Sequence, residues 1–453
     1  MILALMTYCM SLTVLVFCAY NFYRNSRMAG LAVCIVIGIQ AFVRPLLFFL
    51  GLDVPSPPQF FNPDSWTLVA YASAVAAIWV ALLTLSYWAF SSNLPSRGIF
   101  PAEPHAATIG QILAVGIAIT IINAFATLYL VYEWGGIGRF IYAVKTGKEL
   151  KGAYVIREIG TTAVGTLAVA LIAMGKVQKT ALEYRRGLVI ISLIIFLILL
   201  NFAVNFMWGN RHNIAVLTLA VLMGWHFCIS GSKLSRMAWL SVGALAALIG
   251  LRWVRSDLTT EAAGITLKNT MPFWRETSYS LHFAQFDGLM LALRDAGERF
   301  ELRYGQDFVS GLLAWVPRQI YAGRETYMVG GWFRRNYEPD KVNGWTLTQI
   351  GDWYVNFSWP GIFLGGLLSG LLAAAIDAAY RDRRISPWAA GIGAVISFRM
   401  LDGGFDFGTL QNYVLFVVPF FLVAITLRLM SAFGLGGGAQ TPSYQGLPPP
   451  VQS

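Results

Sequence analysis

The chain of 453 residues is 57% hydrophobic and only 12% charged, with a mean hydropathy of +0.59. Soluble domains carry about 25% charged residues, so this composition excludes an ordinary water-soluble enzyme. Its 33 basic and 23 acidic residues leave a charge of +10. In a membrane protein that excess reads first as basic cytoplasmic loops, and no nucleic-acid partner is expected.

Apolar runs of about 18 residues or more cross a bilayer. About eleven can be placed, centred near Val14, Val36, Ala77, Ile119, Ala168, Phe196, Leu219, Leu245, Leu367, Ala394 and Val418. The first has no basic n-region and no Ala-x-Ala cleavage site, so it reads as a span that stays. Cys9, Cys18, Cys34 and Cys228 all fall inside apolar runs and read as small core residues, not as a disulfide framework or metal cluster. The predicted fold is an all-α polytopic membrane protein. Residues 1–253 hold transmembrane helices 1–8, 254–350 form a large, partly helical loop, and 351–432 hold helices 9–11. Residues 433–453 are Gly/Pro/Gln-rich, cannot bury a core, and read as a disordered cytoplasmic tail.

Lysine and arginine set the orientation. Alternating connections carry Arg24 and Arg27; Arg97; Lys176, Lys179, Arg185 and Arg186; Lys233 and Arg236; and Arg381, Arg383 and Arg384, whereas residues 52–65 carry none. The positive-inside rule then puts the N-terminus outside and the C-terminus in the cytoplasm. Arg139, Lys145, Lys148, Lys151, Arg157, Arg211 and Arg399 fall on the outer side against that rule. An anionic ligand at the outer leaflet would account for them, as would ion pairing or a different span count.

About 95 residues, from Val254 to Ile350, contain no spanning run, too many for a simple connector. They are dense in aromatics, among them Tyr304, Trp315, Trp332 and Trp345. Phe283, Phe286, Met290, Leu293 and Phe300 recur at helical spacing, which predicts an amphipathic helix on the membrane or the bundle, bordered by Asp287 and Arg294. Aromatic rings beside charged groups suit sugars, and an interfacial aromatic belt has the same composition.

No Walker A sequence, Gly-x-Gly-x-x-Gly or His-Glu-x-x-His is present. Glu338-Pro-Asp340 offers too few converging oxygens for a hard divalent ion, so no metal and no cofactor is expected. Trp208-Gly-Asn-Arg211-His-Asn213 could present a helix N-terminus and a guanidinium to a phosphate, or be a turn with a snorkelling arginine. Arg318 and Arg324, after a rigid Val-Pro turn, could bracket a pyrophosphate, or cap a helix and pair with Glu325. Arg255 and Arg275 add further cations in the long loop. Phe398-Arg399-Met-Leu-Asp402-Gly-Gly-Phe-Asp406 sets an arginine and two carboxylates around a Gly-Gly break at a span end, where charge is costly. Arg44 inside the second span raises the same question, with Pro45 and a snorkelling route favouring a structural role. Of four histidines, His282 lies among the loop aromatics and could serve as a base or simply be a hydrogen-bonded structural residue.

Phe286-Asp-Gly-Leu, Tyr304-Gly-Gln-Asp-Phe and Val316-Pro-Arg318 followed by Arg324, taken in that order, resemble the outer loop of bacterial oligosaccharide repeat-unit polymerases of the Wzy type. Gly351-Asp-Trp-Tyr-Val-Asn-Phe-Ser-Trp-Pro-Gly361 is similar to that family's next segment, and Gly209-Asn-Arg-His-Asn213 to its upstream Gly-x-Arg turn. The chain departs from the pattern at Tyr321-Ala-Gly-Arg-Glu325, in place of a Trp-Pro-x-Lys-Pro ending, and at Asn356-Phe-Ser, which lacks the Gly after Phe.

The resemblance implies a multi-pass glycosyltransferase of the bacterial inner membrane, active on the periplasmic face. It would move a growing glycan from undecaprenyl diphosphate onto the non-reducing end of a new lipid-linked repeat unit. Its partners would be the lipid-linked donor and acceptor, membrane lipids and a chain-length-regulating co-polymerase. Arg211, Arg318, Arg324 and Arg399, with Arg255 and Arg275, would replace a metal on the diphosphate. The base would come from Asp287, Asp402, Glu276 or His282, and Trp315, Tyr304 and Trp332 would stack on sugars. An O-antigen ligase would use the same donor, with His282 as the available histidine. A polyprenyl-phosphate-sugar transferase fits less well, since Asp53 and Asp64 are isolated in the first outer loop. A flippase of lipid-linked glycans would use the same arginines, but the two halves show no matched broken helices.

Overall fold

The computed structural model describes residues 1–55, 57–61, 65–94, 109–145, 163, 166–167, 181–208, 285–313, 320, 329–340, 344–345, 347–381, 423, 425–430 and 432–433. Ten α-helices make up almost all of this: α1 Ile2–Arg24, α2 Met28–Phe49, α3 Trp66–Ser91, α4 Ile109–Glu133, α5 Ile137–Lys145, α6 Ala181–Met207, α7 Gln285–Asp295, α8 Gln306–Leu313, α9 Val329–Arg335 and α10 Gln349–Arg381. Among the described residues there is no strand beyond one isolated Ala296–Phe300 bridge.

Six of these helices are long and apolar enough to cross a membrane: Ile2–Arg24, Met28–Phe49, Trp66–Ser91, Gly110–Glu133, Val189–Met207 and Gln349–Ala378. The protein is an α-helical, multi-pass membrane protein. Six predicted centres fall inside these spans, whereas those near Ala168, Leu219, Leu245, Ala394 and Val418, and the predicted tail from residue 434 on, lie outside the described residues.

The core is a bundle of α1, α2, α3 and α10, with α7 wedged against α2, α3 and α10. The most extensive pair is α3 with α10. It forms because α10 presents small residues every fourth position: Gly361, Gly365, Ser369 and Ala373. Small residues let two backbones approach closely where lipid supplies no hydrophobic drive. A Cβ on Gly370 would lie 2.1 Å from the Leu83 carbonyl, and one on Gly365 would sit 2.3 Å from the Trp79 ring. Across the same seam the Ser86 hydroxyl donates to the Leu367 carbonyl at 2.6 Å.

The two ends of the bundle differ. At one end Asp377 of α10 accepts the Ala29 N–H (3.0 Å) and the Tyr87 hydroxyl (2.8 Å). A carboxylate from a remote helix thus satisfies the otherwise orphaned N-terminus of α2. Arg24, Arg27 and the α1–α2 turn lie at this end. The opposite end gathers the α2–α3 link, α7 and the start of α10.

Helices α4 and α6 form a second pair along a polar seam. Asn201 donates to Thr120 at 2.9 Å, and the Trp208 indole N–H donates to Thr127 at 3.0 Å. Both pairs climb in the same sense, so α4 and α6 run parallel.

The predicted amphipathic helix over 283–300 is present but shorter, closing at Asp295 before Gly297 turns the chain at φ +86°. Of the two expected places it takes the bundle, and it is buried on more than one face: Phe286, Leu289, Met290 and Leu293 enter the main core, while Leu291 and Ala292 enter a second one. A sequence stripe cannot distinguish one buried face from two.

Candidate functional site

The first polar cluster forms where α2 meets α7. Arg44 and Asp53 have wholly buried side chains and Asp287 is 3% exposed. Arg44 Nη1 donates to Asp53 Oδ2 and Nε to Asp287 Oδ2, both at 2.7 Å, and Nη2 reaches the Val54 carbonyl at 3.2 Å. Its Cζ lies 5.1 Å from the Phe48 ring centroid. The guanidinium therefore spends its donors on two carboxylates and a carbonyl, with an aromatic ring beside it, instead of snorkelling to water. Asp53, isolated in sequence, is a partner of Arg44, and the candidate base Asp287 is held by the same cation.

A second cluster sits at a break in α10. Ser358 has φ 54° and ψ −141° inside the helix, two residues before Pro360. Trp359 would have bonded the Val355 carbonyl, and Pro360, lacking an N–H, leaves that of Asn356 unmatched. Both are taken by the loop after α7: the Arg303 N–H reaches Val355 O, and the Tyr304 N–H reaches Asn356 O, each at 3.0 Å. The Asn356 side chain completes the latch. Its Oδ1 accepts the Gly305 N–H (3.1 Å), and its Nδ2 donates to Asp307 (3.0 Å) and to the Asp352 carbonyl (2.9 Å). Arg303 in turn grips Asp307, Nε to Oδ2 at 2.7 Å. Tyr304 and Gly305 both have positive φ, +48° and +81°, which turns the chain sharply into α8.

Beside these clusters lies an aromatic layer made by the α2–α3 link, the loop after α7, α9 and the residues that follow it, and residues 344–345. Phe60 stands edge-on to Tyr337 and Trp345, and Phe300 edge-on to Trp332 and Phe333, with centroids 5.2–5.7 Å apart. Guanidiniums stack on it: Arg299 over Tyr337 and Arg303 over Trp332, each at 4.4 Å, and Arg334 over Trp345 at 5.6 Å. Asp295 is bound by Arg294, which also donates to the Phe60 carbonyl, and by the Tyr337 hydroxyl. Burial, then the bond to Asp295, pushes the Tyr337 phenol well above its ordinary value of 10.0. The Asp295 carboxylate likewise raises the Arg294 pKa.

Of the residues singled out from sequence, the structure places Asp287 in the first cluster, Tyr304 at the latch and Trp332 in the aromatic layer. Tyr304 is 74% exposed, while Trp332 is half-buried beneath Arg303. Glu338 of the Glu338-Pro-Asp340 pair is bound to Arg334 at 2.7 Å. Asp402, Glu276, His282, Arg211, Arg255, Arg275, Arg318, Arg324, Arg399 and Trp315 lie outside the described residues. Sequence reading missed Arg303, Asp307, Asp352 and Asn356 as a group. The available signal was Asp352 and Asn356, polar residues four apart at the edge of an apolar run. Among the described residues, no three His, Cys, Asp or Glu side chains converge as metal ligands. Comparison with protein-family models, curated proteins and solved structures finds no match to this chain.

Proposed function

We propose that the chain is a membrane glycosyltransferase that polymerises lipid-linked oligosaccharide repeat units. It moves a growing glycan from undecaprenyl diphosphate to the non-reducing end of a new lipid-linked unit at the outer face of the bacterial inner membrane. The observation that carries this reading is the aromatic and guanidinium layer built between the α2–α3 link, the segment after α7, and α9. It offers aromatic rings and the exposed Arg299 guanidinium, with Arg303 and Arg334 already held by Asp307 and Glu338.

In the reaction, the bond between the anomeric carbon and the diphosphate breaks as the acceptor oxygen attacks. The acceptor proton passes to a base, and undecaprenyl diphosphate leaves. Arg211, Arg318, Arg324 and Arg399, assisted by Arg255 and Arg275, neutralise the leaving diphosphate without a metal. Trp315 and Trp332 support the sugars. Among the base candidates, Asp287 has its Oδ2 taken up by Arg44 in a buried ion pair inside the bundle. Asp287 therefore anchors α7, and the base is Asp402, Glu276 or His282.

The test is to incubate purified protein in detergent with its cognate lipid-linked repeat unit, with EDTA and without nucleotide sugars. A ladder of repeat multiples on a gel is the expected product. Unchanged substrate, together with its translocation across a liposome bilayer by the same protein, would replace this reading with a flippase.

A further inference from the structure

The break in α10 divides it unequally. The twenty residues from Trp359 to Ala378 are by themselves long enough to cross the hydrocarbon core. The turn from Gln349 to Phe357 then stands above it, and the break lies at the bilayer boundary. Pro360, Phe363, Leu364 and Leu367 make an exposed apolar stripe just below the break, the surface such a span turns to lipid. At the same level, the latch through Val355, Asn356 and Gly305 fixes the start of α8. Tyr304, Phe308 and Val309 are 74%, 43% and 53% exposed there, with Gln306 exposed between them, whereas Arg303, Gly305 and Asp307 are buried. The charged residues of this short element are thus spent on α10 and on each other, and its exposed side carries Tyr304, Phe308 and Val309 with one polar residue, Gln306.

We infer that Tyr304 and α8 form an interfacial anchor whose exposed apolar face sits in the headgroup and upper acyl region of the lipid bilayer, continuous with the lipid-facing stripe of α10. An outward face of this kind in water would expose three large apolar side chains together, and amphipathic elements at a bilayer boundary bury such faces by about 5–10 Å. The inference requires a membrane protein but not a glycosyltransferase, so the polymerisation assay and the test below fail independently.

The test places nitroxide labels in proteoliposomes at Tyr304→Cys, Phe308→Cys and Val309→Cys in a variant whose four native cysteines are replaced. Phe363→Cys serves as the lipid reference, and Glu298→Cys and Glu301→Cys as aqueous references. Labels at 304, 308 and 309 are expected to favour oxygen over a water-soluble nickel chelate, as Phe363→Cys does. Nickel accessibility equal to that at Glu298→Cys overturns the inference, and so does shielding from both probes, which would mean protein covers the face. On the unaltered protein, photolysis of a diazirine-bearing phospholipid is expected to tag both 304–309 and 363–367. Tagging confined to 363–367 overturns the inference.

Discussion

Arg44 shows how one residue can be legible in sequence while its role is not. A charge inside an apolar run announces itself, but its partners lie 9 and 243 positions away. Arg44→Ala would leave two buried carboxylates uncompensated, a loss of about 3–5 kcal/mol. The expected result is a marked fall in Tm in detergent, not rescued by Arg44→Lys, which lacks the fork to hold two carboxylates. The triple replacement Arg44→Met, Asp53→Leu, Asp287→Leu is expected to recover most of the loss. An Arg44→Ala protein as stable as the parent would refute the buried cluster. Tyr337 gives a pH-dependent counterpart. Because its phenol holds its proton more tightly in the folded state, its contribution to stability is complete below pH 10.0, its ordinary value. That contribution drains away as pH rises from there towards its folded value. Against Tyr337→Phe, the parent should be more stable at pH 8, with an advantage that begins to shrink as pH is raised from 10 to 11. A gap in Tm that stays constant with pH would rule out this linkage.

Among the elements, the broken α10 is the most instructive. Pro360 marks it in the sequence, yet apolar periodicity runs straight through, and helical hydrogen bonding continues on either side of Ser358. What the sequence could not show is where the released carbonyls go, because their donors sit about fifty residues earlier in a loop with no helical or strand pattern. The halves fold tightly enough that a Cβ on Gly361 would lie 2.2 Å from the Trp353 carbonyl. Ser358 occupies a backbone region that suits glycine, at a cost of about 1–3 kcal/mol. Ser358→Gly is therefore expected to raise Tm, whereas Gly361→Ala should lower it by an amount near the top of the range of about 1–3 kcal/mol for overpacking. Thermal unfolding of the two variants checks both signs, and a destabilised Ser358→Gly would mean the serine side chain holds the break.

For the whole molecule, composition was enough to reveal helices and a membrane, since hydropathy depends on residue type and length alone. Packing between helices was less visible. The small residues of α10 recur at every fourth place and could be read, but not that α3 would be their partner. The parallel course of α4 and α6 also carries topological information. Two parallel spans need an odd number of crossings between them, and the predicted segment near Ala168 would supply one. Its described neighbours Thr166 and Leu167 already press against Gly116 of α4. Cysteines at Asn25 and Gly51 are expected to label from opposite sides of oriented vesicles, and one at Gly136 from the Gly51 side. Labelling of 25 and 51 from the same side would undo the arrangement. The Arg44 cluster also sets an order of assembly during synthesis. Asp53 leaves the ribosome nine residues after Arg44, so α2 and its link can enter the bilayer as a neutral pair. Asp287 arrives more than two hundred residues later and docks α7 onto a cation already seated. A local partner nine residues away thus spares the guanidinium a wait for its distant one, whose contact can close only once α7 has been made.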